Sequence, residues 1–118
     1  MLYVSPREVL GEPRKRAHLA VLRALREDGY FADEVPNPLG SEDIVAVGRD
    51  VRVILVTWAL APAMPPFLSQ REVAHLLRRA RDARCSAWEA RVQLTTAGRA
   101  TSIQWYPLTD SSGRRLAA

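Results

Sequence analysis

Apolar residues recur at two different periods along the chain, and the switches between the periods mark the elements. The pattern is plainest between Phe67 and Leu108. Ser69 followed three residues later by Glu72 predicts a capping box, the hydroxyl accepting from the first-turn backbone and the carboxylate returning the bond. Val73, Leu76, Leu77 and Ala80 then fall at i, i+3, i+4 and i+7, one stripe of a helix, with Arg71, Arg78, Arg79, Arg81 and Asp82 mostly outside it. After Arg84 and Cys85 the period becomes two. Trp88, Ala90, Val92 and Leu94 alternate with Glu89, Arg91 and Gln93, which predicts a half-buried strand. Thr95 to Gly98 supply a turn, and Ala100 to Tyr106 return as a second strand that Pro107 is expected to end.

Upstream, Ser5-Pro6-Arg7-Glu8 reads as another capping box opening a short helical turn to Gly11. From Pro13 to Asp28, Ala17, Val21, Ala24 and Leu25, widened by Leu22, form a second helical face, and Gly29 is placed to end it. Tyr30 to Val35 suits a short strand, followed by the turn-rich VPNPLGSE. Asp43 to Val47 and Val51 to Trp58 are β-branched runs separated by Gly48-Arg49-Asp50, a hairpin pattern. VRVILVTW is nearly continuous, so it is expected at the centre of the sheet, covered on both faces. The order is α-α-β-β-β-α-β-β, and the expected fold is α/β, a mixed sheet with flanking helices. Residues 1–12 read as an N-terminal arm, 13–108 as the domain and 109–118 as a flexible tail.

Composition adds limits. At 118 residues, with 47% hydrophobic and 25% charged, the chain is expected to be one ordinary globular domain. It holds no apolar run of about 18 residues, as a membrane span needs, and its start lacks a basic end followed by an apolar core, so a cytoplasmic protein without a membrane partner is expected. One cysteine excludes an internal disulfide, and two histidines with one cysteine, at no metal-like spacing, argue against a zinc site; neither metal nor cofactor is expected. A net charge of +4 and a pI near 10.0 suit a polyanion partner, weakly. The basic residues are almost all Arg, a group that pairs bidentately with phosphates and carboxylates.

The stretch around Arg78, Ala80 and EARVQLTTAGRATSIQWYPL resembles the C-terminal part of the archaeal tRNA-splicing endonucleases, which has a helix with Arg-x-Ala-x-x-x-x-Lys, a buried strand, a Gly-containing turn and a closing aromatic strand. GYFADEVPNPLGSEDIVAV resembles the preceding part. The resemblance implies a restriction-endonuclease-like fold, similar to the C-terminal domain of the tRNA-intron endonucleases. It puts that family's catalytic Tyr at Val47, its His at Val51 or Asp50, and its Lys at Cys85, so no catalytic residue is expected. His18 and His75 fall on helices remote from those positions. What the resemblance implies is a non-catalytic subunit, an α2β2 heterotetramer with a catalytic subunit of the same fold, and precursor tRNA as substrate. By position Arg78 and Arg99 match arginines that reach the RNA bulge, and Ile103, Gln104, Trp105 and Tyr106 match the strand that pairs across a subunit boundary. The turn TTAGRA lacks the acid of the family's docking loop.

Asp43 carries a second resemblance, to the archaeal Holliday-junction resolvases and related metal-dependent nucleases. Those place an Asp at a strand start and Glu-x-Lys near the end of the next, two carboxylates holding Mg²⁺ while the lysine orients water. Here that second pair is Val56 and Trp58, which implies a DNA-binding domain of nuclease fold without its metal site. Cys85 as a nucleophile lacks a nearby His in the sequence pattern.

Overall fold

A computed structural model describes residues 13–108. The chain runs through α1 (Pro13–Glu27), β1 (Phe31–Pro36), β2 (Glu42–Val47), β3 (Val51–Leu60), α2 (Gln70–Ala83), β4 (Ser86–Leu94) and β5 (Ala100–Leu108). The expected turn before Gly11, the arm and the tail lie outside the described residues. All five strands form one sheet in the order β1-β2-β3-β4-β5. Only β3 and β4 run parallel; the other neighbours are antiparallel. A parallel pair needs a crossover, and α2 supplies it.

Both helices are bounded by local chemistry. The N–H of Glu72 donates to Ser69 Oγ over 3.2 Å, and the N–H of Ser69 donates to the Glu72 carboxylate over 2.9 Å, so the capping box is complete. α1 stops where Gly29 takes φ 91°, a backbone that a side chain would strain, letting the Tyr30 N–H reach the Leu25 carbonyl.

The sheet separates two cores. Against α1 lie Ala17, Val21, Leu22 and Leu25 with Ile44, Ala46, Ile54, Ala90, Val92 and Leu94 of the strands. Against α2 lie Leu76 and Ala80 with Val53, Leu55, Ala87 and Leu108. β3 is the middle strand and feeds both cores, as its unbroken apolar run implies.

Two expectations change. Pro107 does not end β5, because it stands opposite Trp88 within an edge strand, where a missing N–H need not break the ladder. β4 is buried on both faces, because it lies between β3 and β5 and the second face is covered by α2 and the segment before it. Glu89 and Arg91, which the alternation assigns to solvent, are therefore buried. The Leu68 N–H donates to Glu89 Oε2 over 3.0 Å. Arg91 donates to the Pro65 carbonyl and lays its guanidinium 4.0 Å from the Phe67 ring centre.

Candidate functional site

The two-residue period of β2 sends neighbouring acids to opposite faces. Glu42 shares parity with Ile44 and Ala46, which face α1, whereas Asp43 turns toward α2. Asp43 is fully buried and both its oxygens are engaged. Oδ2 accepts from Arg79 Nη1 at 2.9 Å and lies 2.8 Å from His75 Nε2, while Oδ1 accepts from Asn37 Nδ2 at 2.9 Å. Asn37 in turn accepts from the N–H groups of Leu39 and Ser41, folding the loop before β2. Asp43 ties that loop to α2. Val56 and Trp58 pack on the α1 side, so the three positions of the nuclease pattern do not converge.

The α1 side carries the polar group that sequence reasoning missed. His18 projects from α1 and is 2% exposed. Its Nδ1 lies 2.7 Å from Glu34 Oε2, yet it makes no hydrogen bond of acceptable geometry. Glu34 stands opposite Ile44 in the β1–β2 register, which makes Glu42 its diagonal neighbour on the same face. His18, Glu34 and Glu42 bring one ligand-type atom each to within 4.8 Å of one another. Arg14 Nη1 closes the group, 2.5 Å from Glu42 Oε1. Burial lowers the imidazole pKa of His18 below its ordinary value, against the raising pull of Glu34. Ile44 opposes Ile54 where the β2–β3 pairing ends. Val56 packs on the same α1-side core, and His18, Glu34 and Glu42 are the one cluster of three potential metal-ligating side chains among the described residues.

The three positions assigned to a splicing triad come to one end of the sheet. Val47 opposes Val51, and Ser86, which follows Cys85, opposes Arg52 and donates to the Val51 carbonyl. Desolvation raises the Cys85 thiol above its usual value, the reverse of nucleophile activation. Arg78 is exposed on α2, in a shallow depression with His75, Arg79 and Asp82. Arg99 sits elsewhere, at the mouth of an open groove between α1 and the β4–β5 turn, with Arg16 and Arg23 beside it, apolar Leu19 and Ile103 in its walls, and Glu27 as its one acid. Ile103 to Tyr106 lie on β5, an edge of the sheet, with Ile103 and Trp105 packed on the α1-side core and Tyr106 edge-on to Phe67 on the other face. No described helix is long and apolar enough to cross a membrane.

No family model and no curated protein matches the chain. Among solved structures it is similar to the Holliday junction resolvase Hjc of Archaeoglobus fulgidus, from an archaeal hyperthermophile, at 26% identity and a TM-score of 0.57, over 82% of this chain and 83% of that one. The fold is that of this nuclease, α/β with a mixed five-stranded sheet and flanking helices, restriction-endonuclease-like as expected. The same likeness overturns the expectation of a tRNA-splicing endonuclease subunit, and with it tRNA processing and heterotetramer assembly as the inferred role. The physical reason is that the matched motifs, a helix-ending Gly-Tyr, a β-hairpin and a helix feeding a strand, report how such a sheet is built. They do not report what it cuts.

Proposed function

We propose that this chain is a DNA-binding domain of resolvase type that recognises branched DNA and lacks the Mg²⁺-holding carboxylates and lysine of an active nuclease. The observation that carries the reading is the likeness to a Holliday junction resolvase over four-fifths of both chains, with Val56 and Trp58 where the nuclease pattern has Glu and Lys. Glu-x-Lys is the half of the pattern that supplies the second metal-binding carboxylate and orients water. Val-x-Trp can do neither. The groove edged by Arg16, Arg23 and Arg99 supports the DNA side of the reading, because guanidinium groups along an open channel suit a phosphate backbone. Arg99 contacts nucleic acid in this proposal; Arg78, on the α2 face, is outside it.

The experiment is a gel-shift titration of a labelled four-way junction against a linear duplex of the same sequence, over a range of salt. The junction is expected to be retained under excess linear competitor, and to remain uncut with Mg²⁺. Arg23→Glu and Arg99→Glu should each weaken binding and reduce the salt slope by about one or more. Equal affinity for linear duplex, or no binding at low salt, would overturn the recognition. Mg²⁺-stimulated cutting would overturn the loss of the nuclease site.

A further inference from the structure

His18 is an awkward residue for a core. Its imidazole is almost wholly buried, two carboxylates stand beside it, and its Nδ1 meets Glu34 Oε2 at 2.7 Å but outside good hydrogen-bonding geometry. A buried ring nitrogen paired that imperfectly is destabilising unless something else occupies its lone-pair or N–H direction. Solvent cannot do so, since the nitrogen is inaccessible to water from outside.

We propose that His18 Nδ1, Glu34 and Glu42 bind one divalent transition-metal ion of the Zn²⁺ or Mn²⁺ class. Three protein ligands, one nitrogen and two carboxylate oxygens, are the donor set of a zinc site that keeps a further position open. At ligand distances of about 2.1 Å, tetrahedral geometry separates neighbouring donor atoms by about 3.4 Å. The donors here span 2.7 Å, between His18 and Glu34, up to 4.8 Å across the group. Occupation therefore asks one contact to open and others to close by an ångström or so. Glu34 and Glu42 can make that adjustment, because their side chains are 41% and 30% exposed while the histidine is held by the core.

The imidazole decides which ion. Nitrogen ligation suits Zn²⁺, Co²⁺ and their neighbours, whereas Mg²⁺ prefers an oxygen octahedron and gives up its waters reluctantly. A metal binds the neutral imidazole, and burial disfavours the charged form of His18. Arg14 is the group a metal must displace. It neutralises Glu42 when no ion is bound and is 39% exposed, so it can swing into solvent. Arg14 and the ion compete for one carboxylate. The proposal stands on these side chains alone and does not depend on the DNA reading, whose assay is separate.

The test uses the full chain after chelation, titrated with Zn²⁺ by calorimetry and with Co²⁺ by visible absorption. One ion per chain is expected, with Co²⁺ giving ligand-field bands and millimolar Mg²⁺ failing to displace it. Glu34→Gln, a change at a partly exposed position that leaves the core intact, should weaken binding about tenfold or more, and His18→Phe should abolish it. Arg14→Ala should tighten it, since the competing cation is gone. Absence of binding at micromolar Zn²⁺, unchanged affinity in Glu34→Gln, or weaker binding in Arg14→Ala would each overturn the site. Binding lost in Cys85→Ser or His75→Ala but kept in His18→Phe would overturn it too, by placing the ion elsewhere.

Discussion

Asp43 is where a catalytic and a structural assignment make opposite predictions, so Asp43→Ala is the most informative single change outside the proposed metal site. The carboxylate is fully buried and accepts from Arg79 and Asn37 while pairing with His75. Its removal strands three polar groups at once. Breaking a buried ion pair by deleting one partner costs about 3–5 kcal/mol, chiefly because the remaining charge is left without compensation. Here the stranded guanidinium is 33% exposed and regains water, whereas His75 is 13% exposed and regains little. The expected loss is therefore at the lower end, about 3 kcal/mol. Against a domain stability of roughly 5–15 kcal/mol this leaves a folded protein at room temperature. Asp43→Asn keeps one acceptor oxygen but turns an amide toward Arg79 or His75, and should cost about 1–3 kcal/mol. The assay is urea denaturation followed by circular dichroism, with junction binding measured on the folded variants. A loss below about 0.5 kcal/mol, the scale of an ordinary surface change, together with lost binding, would refute the structural assignment.

Two further predictions follow from local geometry. A Cβ at Gly48 would lie 2.9 Å from Tyr30 Cδ1, and Tyr30 is buried with its hydroxyl 2.5 Å from Asp50, so Gly48→Ala should cost about 1–3 kcal/mol in denaturant midpoint, and no loss would mean that the ring can shift. Burial lowers the His18 pKa in the folded chain, so the unfolded chain binds the extra proton first; the stability of the metal-free protein should be full above the unfolded value of 6.5 and fall as pH drops through the depressed folded value. In denaturation series from about pH 8 to pH 5, His18→Gln should flatten that limb, and an unchanged limb would assign the titration to other groups.

What the sequence disclosed and what it concealed divide along one line. The capping box at Ser69, the Gly29 stop and the β2–β3 hairpin are local, and each element appears where its residues place it. Alternation in β4 states that two faces differ, but it cannot state that both are covered. Glu89 and Arg91 look like solvent residues until α2 and the Pro65–Leu68 segment close over them. The His18, Glu34 and Glu42 group is concealed more deeply. Its members belong to a helix and two strands, at separations of sixteen and eight residues that match no metal-binding motif, and only the β1–β2 register and the seat of α1 bring them together. The one available signal was a histidine on the apolar face of α1, between Ala17 and Val21, a position that costs free energy unless the ring is answered.

The edge strand shows how the same residues change meaning once packing is known. Ile103 to Tyr106 read as a seam awaiting a partner, because β5 closes the sequence of strands and carries two large aromatics. In the fold, Ile103 and Trp105 pack on the core beneath α1, and Tyr106 is edge-on to Phe67 over Arg91. These side chains already have work within the chain. The positions left facing outward, Thr101, Ser102 and Gln104, are polar, and Pro107 lacks an N–H to offer a neighbouring strand. A second chain docking on β5 would bond through the backbone and meet these polar side chains, beside a Trp105 and a Tyr106 that are each only partly covered by their own chain. Trp105→Ala would then lower the stability of the single chain, whatever its effect on association, because the indole it removes belongs to the core first.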